Sequence, residues 1–422
     1  MSWLIGHAKT TYTHHNSSIT LTTKSGSKTS LSSLSKAVIP PCRLNPLLFN
    51  GHLQTVWTAV KDAGPTIYYK RHIFQSTHSV YPGQFGIDIV VRESSPEDPE
   101  LPERTTYFED GELEMIRSED EKPMVICLHG LTGGSHEVYL RQVVAPLQDA
   151  GWEACVVNSR GCAGVKITSP QLYNARSTWD IRQAVGWLRE TFPNRPLYAV
   201  GFSLGANVLT NYVGEEGASC ELKAAVVCSN PWNLEVCHHA LSRTYLGREV
   251  YSRTLCKNLQ KLYDMHKEEI LKNPKIDREK VRACRYLYEF DRHVQAPTWG
   301  YPTEGAYYRD AQSCDAVTAI KIPFLGINAE DDPVSSIEAI PYEEFKQNPY
   351  TVLCTTNWGG HLSWFQLGGE RWFASAVAEF LKKMQDIDLA APRESRETNG
   401  SVVPANKYPI FDPSHRRLIL PL

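Results

Sequence analysis

The sequence predicts an α/β protein with a mostly parallel, twisted sheet flanked by helices. Three observations predict it. From Pro123 onward, short apolar runs alternate with amphipathic helical stretches. The alternation lapses between Asn230 and Ile320 and then resumes. A G-x-S-x-G pentapeptide, Gly201-Phe202-Ser203-Leu204-Gly205, stands where a strand turns directly into a helix.

Met124 to Leu128 is a continuous apolar run, as expected of a parallel strand covered on both faces. A helix follows, with Ser135 as expected N-cap, apolar Tyr139, Leu140, Val143, Val144 and Leu147, and Gly151 as its stop. Trp152 to Val157 reads as the next strand. Ser177-Thr178-Trp179-Asp180 has capping-box spacing and opens a helix carrying Ile181, Val185 and Leu188, which Pro193 ends. Leu197 to Phe202 is a strand, Leu204 to Val213 a helix, and Ala224 to Cys228 a strand. Pro323 to Asn328 and Tyr350 to Cys354 supply two later strands, and a helix from about Glu370 to Met384 closes the domain. Such alternation implies right-handed crossovers and a parallel sheet.

The lapse between Asn230 and Ile320 is too long for a plain αβ loop, so it is expected to be an insertion with its own structure. We read 231–318 as a helical cap over the carboxyl ends of the strands. Its second half is aromatic, with Tyr286, Tyr288, Phe290, Trp299, Tyr301, Tyr307 and Tyr308, most of them expected in the cap's own core. The remaining boundaries are a disordered Ser/Thr-rich tail at 1–39, a main domain at 40–386, and a C-terminal extension at 387–422. Glu93 to Lys122, crowded with Asp, Glu and Pro, reads as a solvated loop or hairpin.

Composition excludes several classes. The apolar fraction of 42% and charged fraction of 22% are those of an ordinary globular chain, and a net charge of −3 offers no basic face for nucleic acid. No window approaches the roughly 18 apolar residues needed to span a bilayer. The opening MSWLIG is too short for a signal-peptide core, so an intracellular, non-secreted protein is expected, cytoplasmic or peripheral to a lipid surface. The 11 cysteines show no metal-ligand spacing, and Cys127, Cys155, Cys228 and Cys354 read as small buried apolar residues in a reducing compartment. His14-His15 and His238-His239 lack accompanying ligands, so neither a metal nor a cofactor is expected.

The strand–turn–helix setting gives the pentapeptide its meaning. A serine on that sharp turn projects its hydroxyl above the sheet edge, and Gly201 and Gly205 keep the turn clear of side chains. A serine hydroxyl needs a base, which in an α/β-hydrolase fold comes late in the chain, after an acid. His361, within Trp358-Gly359-Gly360-His361-Leu362, fits the base. The acid is expected after the strand ending at Asn328, where Glu330, Asp331 and Asp332 lie; Asp332, just before Pro333-Val334, is favoured over Asp331. Two N–H groups must face the developing oxyanion, and the amides of Leu204 and Leu131 are the candidates. Leu131 belongs to the loop His129-Gly130-Leu131-Thr132-Gly133-Gly134, which lacks the G-K-[ST] of a phosphate cradle. His129, at a strand end, is expected to pack rather than act as base.

With these motifs placed, residues of about 40 to 385 resemble the YheT-like branch of α/β-hydrolases, which includes abhydrolase-domain lipases and fungal medium-chain fatty acid ethyl ester synthase/esterases. The marks are Asn50-Gly51-His52-Leu53-Gln54-Thr55, the His129–Gly134 loop, Asn158-Ser159-Arg160-Gly161-Cys162-Ala163-Gly164, Gly201-Phe202-Ser203-Leu204-Gly205-Ala206-Asn207, and Asn328-Ala329-Glu330-Asp331-Asp332-Pro333. The first is the most specific. The resemblance implies action on medium-chain or glycerolipid acyl esters, and with it a possible partner pair of acyl-CoA and a small alcohol. Animal members carry an N-terminal membrane anchor that is not read here, so contact with a membrane or lipid droplet is expected to be peripheral at most.

Three functions follow. The leading one is a serine carboxylester hydrolase working through an acyl-enzyme on Ser203. The alternative is an alcohol O-acyltransferase that makes fatty acid ethyl esters from acyl-CoA. The remote one is an inactive ligand-binding member of the fold.

Overall fold

The computed structural model describes residues 6–59, 63–93, 98–388, 410–413 and 415–419. The chain runs through β1 (Thr10–His14), a small hairpin of β2 (Thr20–Thr22) and β3 (Lys28–Ser30), then β4 (Tyr68–Gln75), β5 (Gln84–Val91) and β6 (Thr105–Tyr107). It continues with β7 (Met124–Leu128), β8 (Glu153–Asn158), β9 (Leu197–Phe202), β10 (Ala224–Cys228), β11 (Phe324–Ala329) and β12 (Thr351–Thr356); a hairpin of β13 (Ile410–Asp412) and β14 (Arg417–Ile419) comes last. Among the described residues, one ten-stranded sheet forms in the order β1-β12-β11-β10-β9-β7-β8-β5-β4-β6.

Neighbours from β8 through β12 pair in parallel, while β5 runs antiparallel to both β4 and β8. The central strands are buried along their whole length, as their continuous apolar sequences require. Two cores result, one on each face. The first packs Val143, Val144 and Leu147 of the helix Val138–Asp149 with Phe373, Val377, Phe380 and Leu381 of the helix Trp372–Gln385. The second packs Ile181, Val185 and Leu188 of the helix Thr178–Thr191 with Leu209 and Val213 of the helix Leu204–Glu216. Burying a large aliphatic side chain stabilises by about 1.5–3 kcal/mol, so these two faces carry most of the fold's driving force.

The N-terminal segment departs from expectation. Residues 1–5 lie outside the described residues, but the rest of the anticipated disordered tail is built into the domain. β1 pairs antiparallel with β12, from Thr10 opposite Thr356 to His14 opposite Val352. Thr-Thr-Tyr-Thr-His favours strand, and it covers an edge that would otherwise expose unpaired backbone groups. A helix over Leu31–Val38 then buries Leu31 and Leu34, with the Ser30 hydroxyl accepting the Ser33 amide at 3.1 Å as N-cap. Order thus begins before Pro40, because Leu21, Leu31, Leu34 and Ile39 bring apolar surface to a segment otherwise rich in Ser and Thr. Most of 387–422 lies outside the described residues.

Two anticipated caps also do other work. The helix after β7 starts at Val138, and Ser135 instead donates its hydroxyl to buried Asp88 while its amide donates to Asn158 Oδ1 at 3.0 Å. The Ser177 hydroxyl does not cap its helix and bonds to Asn174, at 3.2 Å to Oδ1. The strands β4 and β5, not anticipated, extend the sheet, and β6 within the 93–122 stretch pairs with β4. Between β10 and β11 the chain is helical, including Leu234–Arg243, Arg253–Ile270 and Glu304–Ala311.

Candidate active site

Ser203 sits at the corner between β9 and the helix Leu204–Glu216, with φ 51° and ψ −116°. This region is sparsely populated by residues other than glycine and costs on the order of 1–3 kcal/mol. The corner is held because the Ser203 amide donates to Cys228 O of β10 at 2.9 Å. The flanking glycines are steric requirements. A Cβ on Gly205 would lie 2.3 Å from Leu128 O, and one on Gly201 would lie 2.6 Å from Gly205 O.

Asp332 follows β11 in a tight turn, where its Oδ1 accepts the amides of Val334 at 2.8 Å and Ser335 at 2.9 Å. Its carboxylate is fully buried and meets His361 Nδ1 at 2.8 and 3.1 Å. A carboxylate only accepts, so Nδ1 carries a proton, and in the neutral ring this leaves the Nε2 lone pair facing Ser203. Nε2 stands 2.9 Å from Ser203 Oγ. The structure therefore brings together Ser203, His361 and Asp332.

Asp331 points elsewhere. Its Oδ1 accepts the amides of Gly359 at 2.9 Å and Gly360 at 3.1 Å. Burial pushes its carboxyl up to about 6, despite those amides favouring the charged form. Asp331 thus clamps the backbone of the loop whose next residue is His361.

That loop takes a strained path back toward Ser203. Gly360, Leu362 and Trp364 all have positive φ, at 67°, 51° and 45°. The Asn50–Thr55 motif supplies the support. Asn50 caps the helix Gly51–Trp57 by accepting the Leu53 amide at 2.9 Å. Gly51 lies so close that a Cβ there would be 2.0 Å from Asp331 O. Fully buried Gln54 donates to Leu48 O at 3.0 Å and accepts the Phe365 amide at 2.7 Å. Thr55 Oγ1 accepts the His361 amide itself at 2.9 Å. The motif was visible in the sequence, but its target is more than three hundred residues away, and no local signal joins the two.

The loop after β7 packs on the serine, since a Cβ on Gly130 would touch the Ser203 Cβ at 3.4 Å. The Gly130 amide donates to Tyr139 OH at 2.8 Å and the Thr132 amide to Tyr173 OH at 2.7 Å. Among the described residues, the Leu131 amide between them and the Leu204 amide have no partner. Leu131 and Leu204 both line the cavity that Ser203 opens into. His129 donates Nδ1–H to Gly130 O at 2.6 Å and accepts the Ser159 amide at 3.0 Å, with burial pulling its ring down to about 4. It is a neutral packing group.

The cavity runs from Ser203 under the cap. Its walls are mainly apolar, with Leu234, Leu241, Leu255, Leu259, Leu287 and Val334. Of the cap aromatics, Phe290, Tyr307 and Tyr308 all sit in buried clusters, and Tyr307 and Tyr308 also line this cavity.

A fold of this order, with an apolar cavity leading to a serine held by a histidine and an aspartate, defines a serine ester hydrolase. A family model described as the alpha/beta hydrolase fold matches residues 123–352, more than half of the chain. The chain is 36% identical to a monoacylglycerol lipase of Saccharomyces cerevisiae, over 81% of its length and 80% of that protein's. It is 33% identical to the medium-chain fatty acid ethyl ester synthase/esterase 2 of the same yeast, over 82% and 86%. Against the human phospholipase ABHD3 the figures are 30%, 75% and 72%. The chain belongs to the α/β-hydrolase family, in its branch of abhydrolase-domain lipases and esterases. Among the described residues no helix is long and apolar enough to cross a membrane.

Proposed function

We propose that Ser203 is the nucleophile, His361 the general base and Asp332 its orienting acid, in the hydrolysis of medium-chain acyl or glycerolipid esters. The single observation that carries this reading is the continuous chain of contacts Ser203 Oγ–His361 Nε2 and His361 Nδ1–Asp332. His361 takes the Ser203 proton as Oγ attacks the ester carbonyl, and Asp332 stabilises the imidazolium that forms. The oxyanion is held by the Leu204 and Leu131 amides. Collapse expels the alcohol, which takes the proton from His361. Water then attacks the acyl-enzyme by the same route and releases the acid. The apolar walls of the cavity suit an acyl chain, in keeping with the names of the yeast relatives.

A second reading is transfer of the acyl group to an alcohol, favoured by the synthase/esterase name of one relative. Acyl-CoA would be the donor and ethanol the acceptor in place of water. Incubating the full chain with decanoyl-CoA plus ethanol, and separately with ethyl decanoate in water, tests both. The hydrolase reading expects free acid as the dominant product, and Ser203→Ala should lower kcat by roughly 10⁴- to 10⁶-fold. Ethyl ester as the main product would replace hydrolysis with transfer. We place the protein inside the cell, since all 11 cysteines are free and most are buried.

A further inference from the structure

The cavity has one polar corner that the chemistry above does not use. Asp291 and Gln295 begin and end a π-helical segment, Asp291–Gln295, in the cap, and both line the same cavity as Ser203. Wide turns of this kind are frequent at functional sites. Asp291 is 6% exposed and Gln295 is 3% exposed.

Neither group is fully matched by the protein. The Gln295 Nε2 donates to Tyr173 O at 3.0 Å. A carbonyl can only accept, so this bond fixes which end of the amide is nitrogen. The opposite end, Oε1, is buried with no hydrogen-bond partner. Asp291 accepts Tyr308 OH at 2.6 Å, and among the described residues no cation pairs with it. Burial pushes its carboxyl up to about 7. Buried polar atoms are nearly always satisfied, and an unpartnered acceptor on a residue that lines a ligand cavity can be matched by a donor on the ligand.

We propose that Gln295 Oε1 and the Asp291 carboxyl form a hydroxyl-recognition subsite, selecting esters that carry a free hydroxyl group over otherwise identical esters that lack one. The ligand hydroxyl donates to Gln295 Oε1, and Asp291 lies beside it as a second polar partner. This deepens the ester-hydrolase reading and rests on it. The hydroxyl can sit on the alcohol part, as in a monoacylglycerol, or on the acyl chain, as in a hydroxy fatty acid. The leucine-lined remainder of the cavity takes the hydrocarbon in either case.

The test compares kcat/KM of the full chain for monodecanoylglycerol, ethyl ω-hydroxydecanoate and ethyl decanoate. Enzyme concentration is set by titration with a fluorophosphonate, so that only folded, reactive protein is counted. The wild type should favour at least one hydroxylated ester over ethyl decanoate by roughly ten- to hundredfold, because a site built to bond a hydroxyl rejects the analogue without it. Preference for the glyceride places the hydroxyl on the alcohol; preference for the hydroxy acid places it on the acyl chain. Gln295→Met should bring that preference to within about twofold by raising KM for the hydroxylated ester more than for ethyl decanoate. Gln295→Glu loses the same bond to Tyr173 but keeps an acceptor oxygen, and should retain most of the preference. The subsite is overturned by a wild type that ignores the hydroxyl, by Gln295→Met slowing all three esters alike, or by Gln295→Glu behaving as Gln295→Met. Absence of fluorophosphonate labelling and of turnover on every ester would instead overturn the hydrolase reading beneath it.

Discussion

Two adjacent carboxylates, Asp331 and Asp332, diverge in role because their neighbours differ. Asp332 reaches the imidazole, whereas Asp331 reaches the peptide amides of Gly359 and Gly360. Asp332→Asn should lower kcat by about 10⁴-fold, since a neutral amide no longer holds the imidazole in the required tautomer. Asp331→Asn keeps an oxygen that can accept the two amides, so kcat should fall by less than about tenfold; measured turnover of both variants decides the assignment. Stability gives an independent check. With its carboxyl raised to about 6, Asp331 binds its proton more tightly folded than unfolded, so its buried charge costs stability increasingly as pH rises from about 4 to 6. Asp331→Asn should therefore gain on the wild type over that window, by about 1–3 kcal/mol in urea unfolding at pH 7 compared with pH 4. Ser203, His361 and the two aspartates were legible because each follows a strand in a fixed order. Thr55, Gln54 and the divergent job of Asp331 were not, since their partners come from distant chain segments.

At the level of elements, the lesson of the N-terminal segment is that composition misleads where pairing decides. Ser and Thr suggested disorder, yet Thr10–His14 closes the edge of β12. Removing residues 1–16 should expose that edge, lowering the thermal midpoint and promoting aggregation, which scanning calorimetry and light scattering would detect. The Asn158–Gly164 motif is similarly structural. Arg160 holds Asp180 through two bonds, at 2.7 and 2.8 Å, and also bonds to Pro82 O at 2.8 Å. Both partners are buried, and burial raises the carboxyl of Asp180 even beside that cation. Arg160→Met should cost about 3–5 kcal/mol by stranding Asp180, and a companion Asp180→Asn change should recover part of the loss in urea unfolding. The sequence showed that the motif existed but not that its arginine ties the helix Thr178–Thr191 to the loop before β5.

Across the whole molecule, the sheet was legible wherever strands are buried on both faces, because the apolar runs from β7 to β12 leave little choice of element. It was not legible at β4 and β5, whose sequences mix Lys70, Arg71 and Asp88 with apolar residues because a buried Arg71–Asp88 pair lies between them. The cap's general place followed from the length of the interruption, but the cavity beneath it depends on helices whose packing no periodicity encodes. The sheet positions the serine corner, the Asn50–Thr55 segment and Asp331 brace the histidine loop, and the cap supplies an apolar chamber over both.

Intact-mass and peptide analysis after brief exposure to a slowly hydrolysed acyl ester tests the centre of this account most directly. One acyl group per chain should appear, on the peptide containing Ser203, and it should vanish in Ser203→Ala and form about 10⁴-fold more slowly in His361→Ala. Acylation at any other residue, or at an undiminished rate without His361, would contradict it.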